Sequence, residues 1–215
     1  LAASKDDINR FATKDKKNDD GYGALVTFEH QHALKSADPS SWNYFVKLQT
    51  EVNDEYFRPV EVYRPVEFTR DWNTGSLNTF DKEWLSNVQV GLRHDKTGEV
   101  RYGLRSLLRG NFYRGLMHTT YGNLRPGKWL AKWDASLLST RGGLVESSFL
   151  RHRDEISYRL GSFIPGLRFE QERNEQKKPG TDTLAANAFH FRIAEFFFTR
   201  PDTAKLMLKG SISRR

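Results

Sequence analysis

A two-residue hydrophobic period, held over long stretches, limits this chain's fold more than any other feature of its sequence. Trp42, Tyr44, Val46, Leu48, Thr50 and Val52 alternate with Asn43, Phe45, Lys47, Gln49, Glu51 and Asn53. Val88, Val90 and Leu92 alternate with Asn87, Gln89, Gly91 and Arg93, and Val100, Tyr102 and Leu104 with Arg101, Gly103 and Arg105. Trp129, Ala131, Trp133, Ala135 and Leu137 repeat the pattern against Lys128, Lys132, Asp134 and Ser136. Successive side chains of an extended chain point to opposite faces, so each stretch predicts a strand with one apolar and one polar side. Asp95-Lys96-Thr97-Gly98 and Arg125-Pro126-Gly127 supply turn residues between stretches. The chain is therefore expected to be all-β, with long antiparallel up-and-down strands. They are placed near 22–33, 42–56, 60–70, 84–95, 99–109, 111–122, 128–139, 145–159, 163–174, 186–199 and 203–213. The faces of 145–159 are mixed. In 186–199 the apolar set changes sides between Ile193 and Phe196, which predicts a bulge near Glu195.

Two regions resist this reading. In YFRPVEVYRPVEFTRDW, residues 56–72, Arg-Pro-Val-Glu occurs twice, at Arg58–Glu61 and Arg64–Glu67. Proline lacks an N–H and fixes φ, so the run is expected as an extended edge or crossing segment at a strand end or rim. Helix signals are few: Ser4-Lys5-Asp6-Asp7 predicts one capped turn and Thr79–Leu85 another. Residues 1–21 read as a polar N-terminal loop segment, and Asn174–Asn187 as a long loop. Long connections contrast with the tight turns at 96–98 and 160–162.

The apolar face can meet a second sheet in a soluble sandwich, or lipid in a membrane barrel. Strand length favours lipid, since a tilted membrane strand needs about 9–11 residues. Trp42, Tyr44, Trp84, Trp129 and Trp133 are the aromatics expected at the membrane interfaces, with Tyr22, Tyr121 and Phe198 beside strand ends. Arg93, Arg101, Arg105 and Arg109 all fall on the polar side, where they would line a wet interior. There they would either select anions or pair with Glu99, Asp134, Glu155 and Glu170 across strands. No apolar run approaches the length of a membrane helix, and the chain has no cysteine, which excludes disulfides and thiolate metal sites.

The YFRPVEVYRPVEFTRDW run, the long Arg-rich strands and the FLRHRDEISYRLGSF…GLRFEQERNEQ hairpin at 149–176 carry a resemblance in style. Across nearly its whole length the chain resembles large outer-membrane β-barrel proteins of Gram-negative bacteria. The resemblance implies a bacterial outer-membrane location, contact with membrane lipid, and a role in translocation or as a subunit of an envelope complex with other envelope proteins. It implies no transported substrate. Starting at Leu1 and stopping after Arg214-Arg215, the chain reads as one antiparallel unit, 1–215, of a longer barrel. The alternative is a soluble antiparallel binding module with a basic face for an acidic partner.

Chemistry-bearing motifs are sparse. His30 and His32 share a strand face but lack a third ligand for a metal. His94 beside Asp95 and His152 near Asp154 have the residue types of an acid–base pair, and Glu170 with Glu172 those of paired carboxylates near Arg168 and Arg173. No nucleophile elbow or glycine-rich phosphate loop accompanies them. No enzyme activity, cofactor or metal is expected. The net charge of +7 comes from 34 basic residues interspersed with 27 acidic ones, so no nucleic-acid partner is expected.

Overall fold

The structure is a computed structural model and describes residues 1–5, 20–35, 41–57, 64–74, 81–142, 146–177, 180–185, 188–200 and 209–214. Its strands are β1 (Ala2–Lys5), β2 (Asp20–Ala33), β3 (Asn43–Asn53), β4 (Glu83–His94), β5 (Gly98–Arg109) and β6 (Tyr113–Leu124), then β7 (Trp129–Arg141), β8 (Glu146–Tyr158), β9 (Ile164–Lys177), β10 (Phe189–Thr199) and β11 (Lys209–Arg214). They form one 11-stranded sheet in chain order, every neighbouring pair antiparallel. The up-and-down all-β expectation is met. Among the described residues β1 pairs only with β2 and β11 only with β10, so the sheet is open.

Register follows from the period. Val52, Trp84 and Leu108 lie side by side on one face, as do Tyr44, Leu92 and Val100. Asn53, Glu83 and Arg109 line the other, with Arg93 opposite Glu99. A one-residue slip would move every apolar side chain to the polar face, so the alternation fixes the pairing. Gly98 closes the β4–β5 hairpin at φ 119, and Gly127 the β6–β7 turn at φ 64, conformations that favour glycine.

Several local expectations are corrected. Residues 58–63 lie outside the described residues, and 64–74 is not a strand: it contains a short helix, α1 (Phe68–Asp71). Pro65 opens the turn that leads into it, its carbonyl accepting from the Phe68 amide at 2.9 Å, a place where a fixed φ suits helix entry. Asn73, at φ 50, ends it. Glu83–Leu85 begins β4 instead of closing a helical turn, and 75–80 is outside the described residues. Ser4 and Lys5 belong to β1 and Asp20 opens β2, so 1–21 is not loop throughout; Asp6 and Asp7 are undescribed. β9 runs through Asn174 to Lys177, because its partner β8 extends to Glu146 and pairs it to the end. No bulge occurs at Glu195: β10 keeps residue-for-residue register with β9 from Phe189 to Thr199. The change of face in β10 is therefore a change of environment along a regular strand.

The core sits on the polar face. Phe68 and Trp72 pack with Leu107, Tyr113, Met117, Leu138 and Phe149, flanked by Leu85 and Phe112. Every strand member of this cluster occupies a polar-side position, at the strand ends nearest the β3–β4 connection. The opposite face is bare: Val52, Trp84, Val88, Val90, Leu92, Tyr102, Leu108, Leu116, Trp129, Leu137 and Ile156 are all exposed.

Candidate functional site

Residues 64–74 form a strap across the polar face, and its anchors read across the sheet from β3 to β9. Arg64 donates to Glu51 of β3 at 2.8 and 3.0 Å and also pairs with Glu83 of β4. Arg109 of β5 donates to the same Glu83 at 2.6 Å. The Arg64 and Arg109 guanidiniums lie 4.6 and 5.9 Å from the Phe68 ring centre. Two cations, held by the carboxylates of Glu51 and Glu83, thus frame the strap's first aromatic, an arrangement that gains from partial burial.

Trp72 is the centre of the site, with none of its surface exposed. Its carbonyl accepts from the Tyr113 hydroxyl of β6, and the Arg105 guanidinium sits 5.4 Å from its ring. Gly115 gives the indole room: a Cβ there would come within 2.9 Å of Trp72 and 2.8 Å of the Tyr113 hydroxyl. The far end is tied as closely. Asp71 accepts from Arg151 of β8 at 3.0 Å, and Arg70 forks onto Glu172 of β9 at 2.8 and 2.9 Å. Glu172 is almost fully buried. Burial works against the charge of Arg70, but Glu172 and Glu67 outweigh it and raise its pKa. Asn73 donates to Ser147 at 2.9 Å and exchanges amide bonds with Asn174 at 3.1 and 3.2 Å.

The arginine ladder divides between two roles. Arg93 and Arg101 both pair with Glu99, at 2.7 and 3.6 Å, and Arg101 also stacks 4.2 Å from Tyr121. Arg109 pairs with Glu83. Among the described residues Arg105 meets no carboxylate within ion-pair distance; beyond the Trp72 ring, its contact is Met117 Sδ at 3.8 Å. The Trp72 indole N–H, the Thr74 hydroxyl and the side-chain oxygen of Asn87, opposite Arg105, are buried without hydrogen-bond partners among the described residues. Of the acids expected to neutralise the ladder, Glu99 does so. Glu155 serves Lys132 and Arg168, and Glu170 serves Arg153.

The remaining motifs are scattered. His30 lies 3.3 Å from the Tyr44 hydroxyl, and His32 bonds the Ala33 carbonyl. His94 accepts from the Lys96 and Thr97 amides and pins its own turn. His152 contacts Asp154 at 2.8 Å on the bare face, with Gln171 on its other nitrogen and no hydroxyl nucleophile bonded to it among the described residues. Glu170 and Glu172 are separately bound by Arg153 and Arg70. No group of residues able to hold a metal occurs among the described residues.

Trp84 and Trp129 stand outward and half exposed near opposite strand ends, while Trp42 packs 5.2 Å from His94. Tyr44 lies beside His30 and His32, and Trp133 lies against Gly122 on the same outward face.

Sequence reading missed the strap. Its signal was present as Leu85, Leu107, Met117, Leu138 and Phe149, apolar residues at polar-side positions. Only the register shows that these interruptions lie side by side.

No protein-family model, curated protein or solved structure matches this chain.

Proposed function

We propose that this chain forms the wall of a bacterial outer-membrane β-barrel, with its apolar face in lipid and the strap inside, narrowing the interior. It would act in translocation across the envelope, or as a barrel subunit of an envelope complex. The observation that carries this reading is the inverted placement of the core: the polar face is packed and the apolar face is bare. In water, an apolar face running across most of the sheet would drive association. A lipid solvent removes that cost, and a wet interior accounts for the charged face.

Two further features support it. β2 to β10 are 11 to 14 residues long. A strand of about 12 residues rises roughly 40 Å, or about 28–33 Å across the bilayer at 35–45° tilt, close to the hydrocarbon thickness. The outward apolar band also drifts across the sheet. It spans Tyr44–Val52, Trp84–Leu92 and Val100–Leu108 at one level of the ladder, moves to Trp129–Leu137 on β7, and reaches Ala194–Phe198 on β10. The shift is about one residue per strand, the offset at which a plane cuts strands tilted by roughly 35°. A soluble module would instead need a second layer over the bare face, and none exists among the described residues.

Tryptophan quenching by brominated lipid tests the reading. In single-tryptophan variants reconstituted into vesicles, Trp84 and Trp129 should be quenched strongly and Trp72 weakly. Equal quenching of all three, or a monodisperse chain in plain buffer, would refute it.

A further inference from the structure

We infer that Arg114 and Arg141 form a clamp for a lipid phosphomonoester at the strap-side edge of the membrane. This rests on the lipid reading of the bare face. It goes further in naming a site on that face and the headgroup chemistry it takes.

Arg114 of β6 and Arg141 of β7 are directly opposed in register. Both belong to the bare face, since Arg114 lies opposite Leu108 on its other side, and both are exposed. Every other directly opposed pair of Lys, Arg, Asp or Glu among the described strands joins a cation to a carboxylate. Glu29 with Lys47, Glu83 with Arg109 and Glu170 with Arg153 are examples. Like charges directly opposite destabilise a sheet, so this one exception calls for a counter-charge.

The chain around the pair does not supply it. Neither arginine has an ion-pair partner among the described residues. Glu146, the nearest acid by register, lies 3.8 Å from Lys177 of β9. The turns beside the pair, 110–112 and 142–145, contain no Asp or Glu. A guanidinium fork fits phosphate oxygens, and two forks balance the charge of one phosphomonoester.

Depth makes that phosphate a lipid's. Arg114 lies two residues beyond Leu116 on β6, and Arg141 four beyond Leu137 on β7, where the outward apolar residues stop. At 35–45° tilt this is roughly 5–10 Å past the apolar edge, the level of the headgroups. Leu108 and Trp84 continue the row of Arg114 on the acyl side, and Ser139 beside Ser148 adds hydroxyl donors in the next row. Reduced access of water there strengthens both the repulsion within the pair and its attraction for an anion.

The test is the denaturant midpoint of the detergent-folded 215-residue chain, in neutral detergent alone and with phosphatidate, phosphatidylcholine or inorganic phosphate added. Arg114→Gln and Arg141→Gln should raise the midpoint in neutral detergent, because repulsion is relieved. They should also raise the phosphatidate concentration needed for half of its stabilising effect about tenfold, the loss of one charge-assisted pair. Arg173→Gln is the control, a bare-face arginine beyond the apolar band that has its own acid, Glu175, at 3.6 Å; it should do neither. Equal stabilisation of wild type and both Gln variants by phosphatidate would overturn the inference. Loss of the heat-modifiable folded band in either Gln variant would overturn it too, since relief of repulsion does not unfold a sheet. Equal stabilisation by inorganic phosphate would give the site to a free anion and overturn the lipid assignment. Failure of the lipid reading is separate: Trp84 and Trp129 would then escape lipid quenching, whatever phosphatidate does to the midpoint.

Discussion

Leu107 and Leu108 are neighbours in β5, yet Leu107 is fully buried and Leu108 is 40% exposed. Leu107 lies under the strap, against Trp72 and Tyr113. Leu108 stands between Trp84 and Arg114 on the bare face. The difference is not one of residue type or local structure. It comes from what covers each face, and it divides the molecule into a packed side, where volume matters, and an open side, where the solvent decides.

The largest effect should separate the two sides by packing. Trp72→Ala removes the centre of the only buried cluster among the described residues and should cost about 3–5 kcal/mol. Trp84→Ala, on the bare side, should cost well under half as much in detergent-micelle unfolding titrations. Equal losses would mean that the bare face is covered.

Charge sharpens the comparison next. Leu104→Arg puts a cation in the apolar band and should cost roughly 2–4 kcal/mol when the chain folds into vesicles. Arg105→Leu removes a cation that has no carboxylate partner among the described residues and should leave folding nearly intact. The yield of heat-modifiable folded band reads both. Damage from Arg105→Leu with a silent Leu104→Arg would reverse the assignment of faces.

Glycines give a smaller, more local contrast. Gly115→Ala crowds Trp72 and Tyr113, which are held from all sides, and should cost about 1–3 kcal/mol. Gly122→Ala meets the Trp133 ring, which stands on the open face and can swing outward; its cost should stay below about 1 kcal/mol. If the two losses prove equal by denaturant midpoint, the open face is as rigid as the packed one.

Tyr113→Phe should have a small and local effect. It deletes the hydroxyl bond to the Trp72 carbonyl and keeps the ring, for a loss of about 1 kcal/mol. Faster amide exchange at 68–74, with β3 and β4 unchanged, would show that this bond holds the strap and not the wall.

The strands were legible because their signal is local. Alternation needs only a few neighbouring residues, and it located nine long strands to within a few positions each. The errors fell where local signals conflict. Pro65 and the valines beside it suggested an edge, whereas the turn at Pro65 leads into a helix whose Phe68 and Trp72 are buried against other strands. In β10, Phe189, Phe191 and Ile193 suggested a bulge. They occupy the polar-side positions of a regular strand, where Phe189 meets Phe149 edge-on at 6.3 Å. Parity puts the arginine ladder on the polar face, but it does not separate Arg93 and Arg109, which pair with Glu99 and Glu83, from Arg105, which meets no carboxylate among the described residues. Arg64, Glu83 and Trp72 are remote in sequence from the strands they engage.

Sequence alone therefore determined the nine long strands, their direction and the two chemical faces, because a period of two fixes side-chain orientation without reference to the rest of the chain. Only the tertiary structure decided which face holds the core. That outcome depends on Trp72 finding Gly115 and Tyr113, and on Arg70 reaching Glu172 some hundred residues away. Such contacts have no sequence period, because they form between elements whose separation is set by the loops and not by the strand repeat.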